Sequence, residues 1–271
     1  MRSAAASSPA SRRSERAPLN LRGLAFRFAA PLTFVGLLAA WEGACRLFAI
    51  PVFLLPSPSA IVASFTGLSW QVWVGHVWAT FSVALSGYVV AIAISVPLGA
   101  ALASSVVLSR ALYPILVVVQ STPVVAVAPI IVVLLGTNDL PRIVITFLIT
   151  FFPIVVSTVT GLTATPAELI DLSRSLRAAG GRQMLHIRLP YALPYIFSAL
   201  RVSTTLAVIG AVVAEFVAAE RGLGYLIFFS TSYFKVPQAF AALAVLVMLS
   251  LVLFRAVSAI QQRLFPWSLG R

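Results

Sequence analysis

The chain has 271 residues, of which 60% are hydrophobic and only 10% are charged, and its mean hydropathy is +1.02. A water-soluble domain of this length carries about a quarter charged residues, so this composition excludes an ordinary soluble domain and predicts a membrane protein. The net charge of +12 leaves nucleic-acid binding and membrane topology as two explanations for the basic residues.

Six apolar runs are long enough to cross a bilayer, which takes roughly 20 helical residues. They lie near residues 28–49, 76–103, 111–135, 142–163, 193–217 and 237–261. Helices satisfy their own backbone groups in lipid, whereas these continuous runs do not suit the short alternating strands of a barrel. The pattern predicts an all-α polytopic membrane bundle of six transmembrane helices over residues 28–262. A disordered tail at 1–27 and a second tail at 263–271 would flank it.

The basic residues are distributed unevenly between the two sides of the predicted bundle. Of the 19, only Arg46, Arg142, Arg221 and Lys235 fall on one side, which leaves 15 on the other. The positive-inside rule makes the richer side cytoplasmic, with both termini there. Topology therefore accounts for the basic charge, and no nucleic-acid partner is predicted.

A short helix is predicted after the first span, in LLPSPSAIVASF (54–65). Ser57 is a suitable N-cap and Pro58 suits the first helical turn. The expected result is a helix lying in the membrane interface.

The third span contains the polar residues Gln120, Ser121 and Thr122 directly before Pro123. Proline removes a backbone donor, and irregular backbone at membrane depth needs protein or water around it. Two interpretations stay open. These residues stabilise helix–helix packing, or they line a translocation path. Glu215, near the outer end of span five, has the same two interpretations, because an acid inside a membrane is costly.

A charged segment at residues 164–192 separates spans four and five. Thr165, Pro166 and Glu168 have the spacing of a capping box with proline at the first turn. Gly180 and Gly181 are predicted to end the helix that follows, since glycine accepts the left-handed conformation.

One face of that helix is apolar, and Asp171 lies on another face. Its members recur at helical spacing and are Leu169, Leu172, Ser173 and Leu176. Such a face can lie on the bilayer surface or dock into a groove of a cytoplasmic partner. Periodicity does not choose between the two.

The segment resembles the EAA loop of permease subunits of binding-protein-dependent ABC importers. Ile187–Pro190 matches its aliphatic-x-Leu-Pro ending. Counting back from this ending places the EAA triplet at residues 171–173, where this chain has Asp-Leu-Ser. The same count places the glycine of the pattern at position 177, where this chain has arginine. Further stretches are similar to permeases of the nitrate/sulfonate/taurine type, and the resemblance covers roughly residues 50–267. These stretches are 54–61, 121–130, 151–162 and 190–227.

This resemblance implies a type I ABC importer transmembrane domain, with its core at about 76–262 and a coupling loop at 164–192. The residues to which it assigns ATPase coupling are Thr165, Glu168, Leu169, Asp171, Leu172, Ser173, Leu176, Arg177, Gly180, Gly181, Ile187, Leu189 and Pro190. The implied partners are an ABC ATPase dimer, an extracytoplasmic solute-binding protein, and a second permease copy (a homodimer) or a paralogue. The implied location is the bacterial inner membrane.

The resemblance also limits the substrate and the energy source. It favours a small heterocycle, such as a thiamine pyrimidine precursor or a riboflavin-like molecule, or else an anion of the sulfonate, taurine or nitrate type. A phosphate-binding loop needs a lysine after its glycines, and Lys235 has no such loop before it. We expect no catalytic residue, no metal site and no bound cofactor in this chain, with ATP used by the partner.

Two rival functions remain. An ion-coupled secondary transporter would use Glu215 or Glu42 and predict internal repeats, which the sequence does not show. An intramembrane enzyme would need clustered reactive side chains, and His76 and His186 are far apart in the chain.

Overall fold

The computed structural model describes residues 21–268, apart from the side chains of residues 21–28 and 30. In that part of the chain all regular structure is helical, which confirms the all-α class. The helices are α1 (Leu21–Leu47), α2 (Pro58–Ser64), α3 (Trp70–Ser104), α4 (Val106–Ser121), α5 (Val124–Leu135), α6 (Asp139–Thr163), α7 (Ala167–Ser175), α8 (Gly180–Gln183), α9 (Leu189–Ala218), α10 (Leu223–Ser232) and α11 (Val236–Leu264).

Four helical stretches in the described residues are long and apolar enough to cross a membrane: α3, α6, the run Gly180–Ala218 that contains α9, and α11. The pair α4 and α5 makes a fifth crossing only if it is counted as one bent span. Helix α1 takes the place of the first predicted span. It begins at Leu21, inside the segment predicted as a tail, and residues 1–20 lie outside the described part. The count of six crossing helices stays a prediction.

The third predicted span, residues 111–135, is not one helix. It breaks between α4 and α5 with a bend of 93°. Thr122 is extended (φ −77°, ψ 122°), and Pro123 occupies the N-cap position of α5. Proline disfavours the helical conformation in the residue before it and has no N–H for the previous turn. The pair Thr122–Pro123 therefore ends one helix and starts the next.

Helices α3, α6 and α9 form the centre of the bundle, and glycines let them approach closely. A Cβ atom on Gly87 would lie 2.5 Å from Cβ of Thr146, and one on Gly99 would lie 2.7 Å from Cβ of Thr158. The two glycines on α3 and the two threonines on α6 have the same separation, so the two helices stay in register. Small residues at such contacts are typical of helix packing in membranes.

Helix α2 confirms the short helix predicted within residues 54–65, and its place in the membrane interface stays a prediction. The hydroxyl of Ser57 accepts a hydrogen bond from the N–H of Ala60 at 3.3 Å, and Pro58 is the first helical residue. The Glu42 carboxylate accepts from both the N–H (3.0 Å) and the hydroxyl (2.8 Å) of Ser59. Glu42 is therefore engaged in holding α2 against α1.

The bundle has two ends that carry different connecting segments. The loop end is where α6 stops and α9 begins, and it carries residues 164–188. The opposite end is where α9 stops, at Ala218, and where α3, α6 and α11 begin.

Candidate functional site

At the loop end, α7 begins without the predicted capping box. Pro166 occupies the N-cap position and provides no side-chain hydrogen bond. The hydroxyl of Thr165 instead donates to the carbonyl oxygen of Leu162 at 3.2 Å. Thr165 is thus tied to the end of α6, and the predicted cap is wrong. Glu168 still lies in the first turn of α7, where a negative charge complements the helix dipole.

Helix α7 ends at a left-handed residue that is not glycine. Arg177 has φ +53°. The N–H of Ala178 donates to the carbonyl of Ser173 (3.0 Å), and the N–H of Arg177 donates to that of Arg174 (2.9 Å). This pair of bonds is a Schellman motif, which favours glycine at the left-handed position. The EAA-loop pattern has its glycine at the position of Arg177. The left-handed residue therefore lies where the alignment with that pattern places glycine.

The predicted helix stop at Gly180 and Gly181 is wrong. Both glycines belong to the short helix α8. A helical turn of π type, Met184–Arg188, then joins α8 to α9, so that Gly180–Ala218 forms one long helical run. The chain reverses at Arg177, so Gly180 and Gly181 lie beyond the turn and begin the next helix.

Replacing Arg177 by glycine should stabilise the protein by about 1 kcal/mol, because a left-handed conformation costs a residue with a side chain roughly 1–2 kcal/mol. The measurement is the thermal unfolding midpoint of the purified protein in detergent. Arg174→Gly is the matched control and should lower the midpoint, since it places glycine inside a right-handed helix. A lower midpoint for Arg177→Gly would contradict the expected gain.

The apolar face of α7 borders a groove of about 330 Å³ at the loop end. The four residues of the predicted face all line it, together with Arg182, His186 and Ile187 on the other wall. Leu172 is 57% exposed and Leu176 is 74% exposed. Ile170, which faces the other way, is buried. Helix α7 is therefore anchored by one side and presents leucines on the other.

The Asp171 side chain lies on another face of α7, outside the lining of the groove, and pairs with Arg174 at 3.2 Å. Both side chains are largely exposed, so the pair adds little stability. Leu189 and Pro190 lie beyond the π turn, where they begin α9.

The predicted path residues do not form one cluster. Gln120, Thr122 and Pro123 line a pocket of about 530 Å³ at the bend between α4 and α5. Ser121 is absent from that lining, and its hydroxyl donates to the carbonyl of Val117 at 2.8 Å. Glu215 lines a different pocket, at the opposite end. Whether either place lies on a translocation path stays a prediction.

Glu215 is almost completely buried and holds the turn between α9 and α10. Its Oε2 atom accepts a hydrogen bond from the N–H of Gly224 at 2.7 Å. The adjacent N–H groups of the same turn are also bound: that of Leu223 by the Thr80 hydroxyl (2.7 Å) and that of Gly222 by Nδ1 of His76 (3.1 Å). Three consecutive backbone donors are thus fixed by α3 and α9.

The sequence analysis did not assign His76 and Thr80 to this turn. They lie one helical turn apart on α3, and that i, i+4 spacing of polar residues near a span end was the available signal. Their partners, Gly222 and Leu223, are more than 140 residues away in the chain. No local pattern could have supplied the pairing.

A bundle with apolar crossing helices, an exposed amphipathic protrusion at one end and a polar pocket at the other is typical of a membrane transport subunit. The chain belongs to the family described as the binding-protein-dependent transport system inner membrane component, whose model matches residues 93–267. The resemblance to that family is therefore confirmed.

Individual relatives agree with this assignment. The chain is 37% identical to the riboflavin transport system permease protein of Chloroflexus aurantiacus, over 88% of this chain and 89% of the relative. It is 34% identical to the formylaminopyrimidine transport permease protein of Halalkalibacterium halodurans (87% and 94%). It is 26% identical to the taurine transport system permease protein of Escherichia coli (87% and 88%).

The fold also matches a solved structure, the inward-facing MetNI methionine ABC transporter. The TM-score is 0.61 at 22% identity, over 72% of this chain and 96% of that one. The chain therefore has the fold of a type I ABC importer transmembrane domain. It is a multi-pass inner-membrane permease of a binding-protein-dependent ABC importer.

Proposed function

We propose that this permease moves its solute inward by alternating access, and that an ABC ATPase dimer drives it through the segment 164–192. The observation that carries the proposal is the row of exposed leucines on α7, which lines a groove at the loop end. On this proposal the loop end and both termini are cytoplasmic. ATP is bound and used by the partner, and this chain binds no cofactor of its own.

The shape of the loop end favours a protein partner over the bilayer surface. A helix that floats on lipid needs only an apolar stripe, whereas here α7 and the segment 182–187 enclose a concave groove. Docking surfaces of this kind combine apolar anchors with a charged rim. Leu172 and Leu176 would be the anchors, and Arg182, which lines the groove, would form part of the rim.

The bent pair α4 and α5 supports a second permease copy. Among the residues of these two helices, only Ala128 is buried. The exposed groups include Gln120, Ser121 and Thr122 beside the bend. Polar groups and interrupted backbone are costly against lipid, so a second copy or a paralogue would cover this face. The covered bend would then lie beside the path between the two copies.

The relatives favour a small heterocyclic solute over a sulfonate-type anion. The riboflavin and formylaminopyrimidine permeases are 37% and 34% identical to this chain, and the taurine permease is 26% identical. An extracytoplasmic solute-binding protein would deliver the solute to the opposite end of the bundle.

The proposal predicts ATP-driven uptake by the complex. Vesicles containing the permease, its ATPase and its binding protein should accumulate radiolabelled riboflavin only when ATP is present on the ATPase side. A proton ionophore should leave this uptake unchanged. The matched control is the same complex with the P-loop lysine of the ATPase replaced, which should abolish uptake. Accumulation by the permease alone, driven by an ion gradient, would instead establish a secondary transporter.

A further inference from the structure

Helix α9 carries a stripe of polar side chains along its exposed face. Its members recur every three or four residues, and they are Tyr191, Tyr195, Ser198 and Thr205. The exposed side chains of α11 are by contrast mostly apolar, and they include Leu243, Val247, Met248, Leu251 and Val252. Lipid suits the face of α11, whereas the hydroxyl groups of the stripe require water or protein beside them.

Arg201 lies at the edge of this stripe and within the membrane-crossing part of α9. It lies about 18 Å along the axis from Leu189, where α9 begins, and about 25 Å from Ala218, where α9 ends. The helix is thus roughly 45 Å long, and the apolar core of a bilayer is about 30 Å thick. A core that falls within the length of α9 therefore includes Arg201 in every position.

No acid among the described residues pairs with this arginine. Arg201 takes part in none of their ion pairs, and the one acid on its own helix, Glu215, lies about 21 Å further along the axis. The Nε–H of Arg201 donates to the carbonyl oxygen of Phe197 at 3.4 Å. Its two Nη groups bind no other described residue and are not among the buried side-chain nitrogens, so they reach the surface. A charge at this depth is costly unless it meets water or a counter-charge, so Arg201 requires a partner from outside these residues.

The stripe adjoins the bend between α4 and α5. Leu206, which follows Thr205 in the chain, lines the bend pocket together with Gln120 and Thr122. The face of α9 that carries the stripe therefore borders the surface that a second permease copy is proposed to cover. A water-filled space between the two copies would satisfy both the hydroxyl groups and the guanidinium.

We propose that this face of α9 lines the translocation path, and that Arg201 gives the path a positive charge that excludes cations and binds acceptor oxygens of the solute. This inference rests on the transport role proposed above and names the class of solute that fits it. The class comprises anions and neutral molecules that present carbonyl or similar oxygens, because a guanidinium only donates hydrogen bonds. An arginine beside a narrow aqueous path is also an electrostatic barrier to cations.

The test compares an anionic and a cationic thiol reagent at a cysteine on the stripe, in the permease–ATPase complex in nanodiscs. The probes are 2-sulfonatoethyl and 2-(trimethylammonium)ethyl methanethiosulfonate. Cys45→Ser first removes the only native cysteine, and Ser198→Cys then places a thiol about one turn from Arg201. Both reagents should react, and adding Arg201→Gln should lower the ratio of the anionic to the cationic rate at least about tenfold. Because both reagents attack the same thiol, the ratio does not depend on the reactivity of that thiol. Arg201→Lys keeps the charge and should hold the ratio within about threefold.

Val252→Cys is the matched control, because Val252 is 59% exposed on the apolar face of α11; a thiol in lipid should react with neither reagent. Val202→Cys, beside Arg201 and 56% exposed, should show the same change in the ratio and replaces Ser198→Cys if that variant does not assemble. Two results overturn the inference: stripe thiols that react as slowly as that of Val252→Cys, or a ratio that Arg201→Gln leaves unchanged. ATP-driven uptake by the same complexes would then leave the transport role standing. Uptake that needs no ATP would remove that role and not the charged path.

Discussion

Replacing both Leu172 and Leu176 by aspartate should release the ATPase from the permease. These side chains, one on α7 and one at its C-cap, are 57% and 74% exposed and line the groove at the loop end. Burying a leucine contributes about 1.5–3 kcal/mol, and an aspartate in the same place would also have to lose its water. We expect the affinity for the ATPase to fall at least about a hundredfold, which corresponds to roughly 3 kcal/mol.

The measurement is a pull-down of the ATPase with tagged permease from detergent extracts, together with a membrane-insertion assay. Leu185→Asp is the matched control. Leu185 is also at the loop end and is 62% exposed, but it does not line the groove. The control should retain the ATPase, and both proteins should insert normally. Retention of the ATPase by the double variant would move the docking surface away from α7.

Much of the fold was predictable because lipid imposes strict requirements on the chain. Helices α3, α6, α9 and α11 lie where four of the six apolar runs were expected. The cap of α2 was predictable as well, since Ser57 and Pro58 act through contacts within a few residues. Features of this kind depend on the local sequence and on the solvent, and both can be read from the residues alone.

The break in the third span was only partly predictable. Proline can kink or end a helix, yet Pro97, Pro153 and Pro194 lie inside helices that continue through them. What differs at Pro123 is that Thr122 takes the extended conformation, which ends α4. The sequence therefore showed where a bend was possible, and not which proline would produce it or how large it would be.

The end of α7 shows the opposite case, in which a local preference gives way to the fold. Glycine is the residue best suited to a left-handed helix end, and two glycines follow a few positions later. The chain nevertheless turns at Arg177 (φ +53°). Ending the helix there keeps Ile170 and Ser173 buried and the leucines in the groove. Position 177 is also where the family pattern has its glycine, although the sequence analysis expected the helix to end at Gly180 and Gly181.

The second large effect is expected at the turn that Glu215 holds. Gly222 has φ +135° and ψ 164°, a conformation that is essentially restricted to glycine. A Cβ atom there would also meet the Glu215 carboxyl group, with its Cδ within 2.2 Å. The carboxyl group cannot easily move aside, because Gly224 holds one of its oxygens. Gly222→Ala should therefore destabilise the turn by roughly 3 kcal/mol or more, from backbone strain and overpacking together.

Uptake by the reconstituted complex and the thermal unfolding midpoint of the permease would measure this effect, and both should fall. Gly180→Ala is the matched control: that glycine lies in helix α8, and an added Cβ would have no neighbour within 4 Å. It should be neutral or stabilise the protein by up to about 1 kcal/mol. Gly222→Ala should cost less in a Glu215→Ala background than in the wild type, because the clash is then absent while the backbone strain remains. A turn that tolerated Gly222→Ala without loss would show that residues 222–224 are not held rigidly, and that Glu215 is free to move during transport.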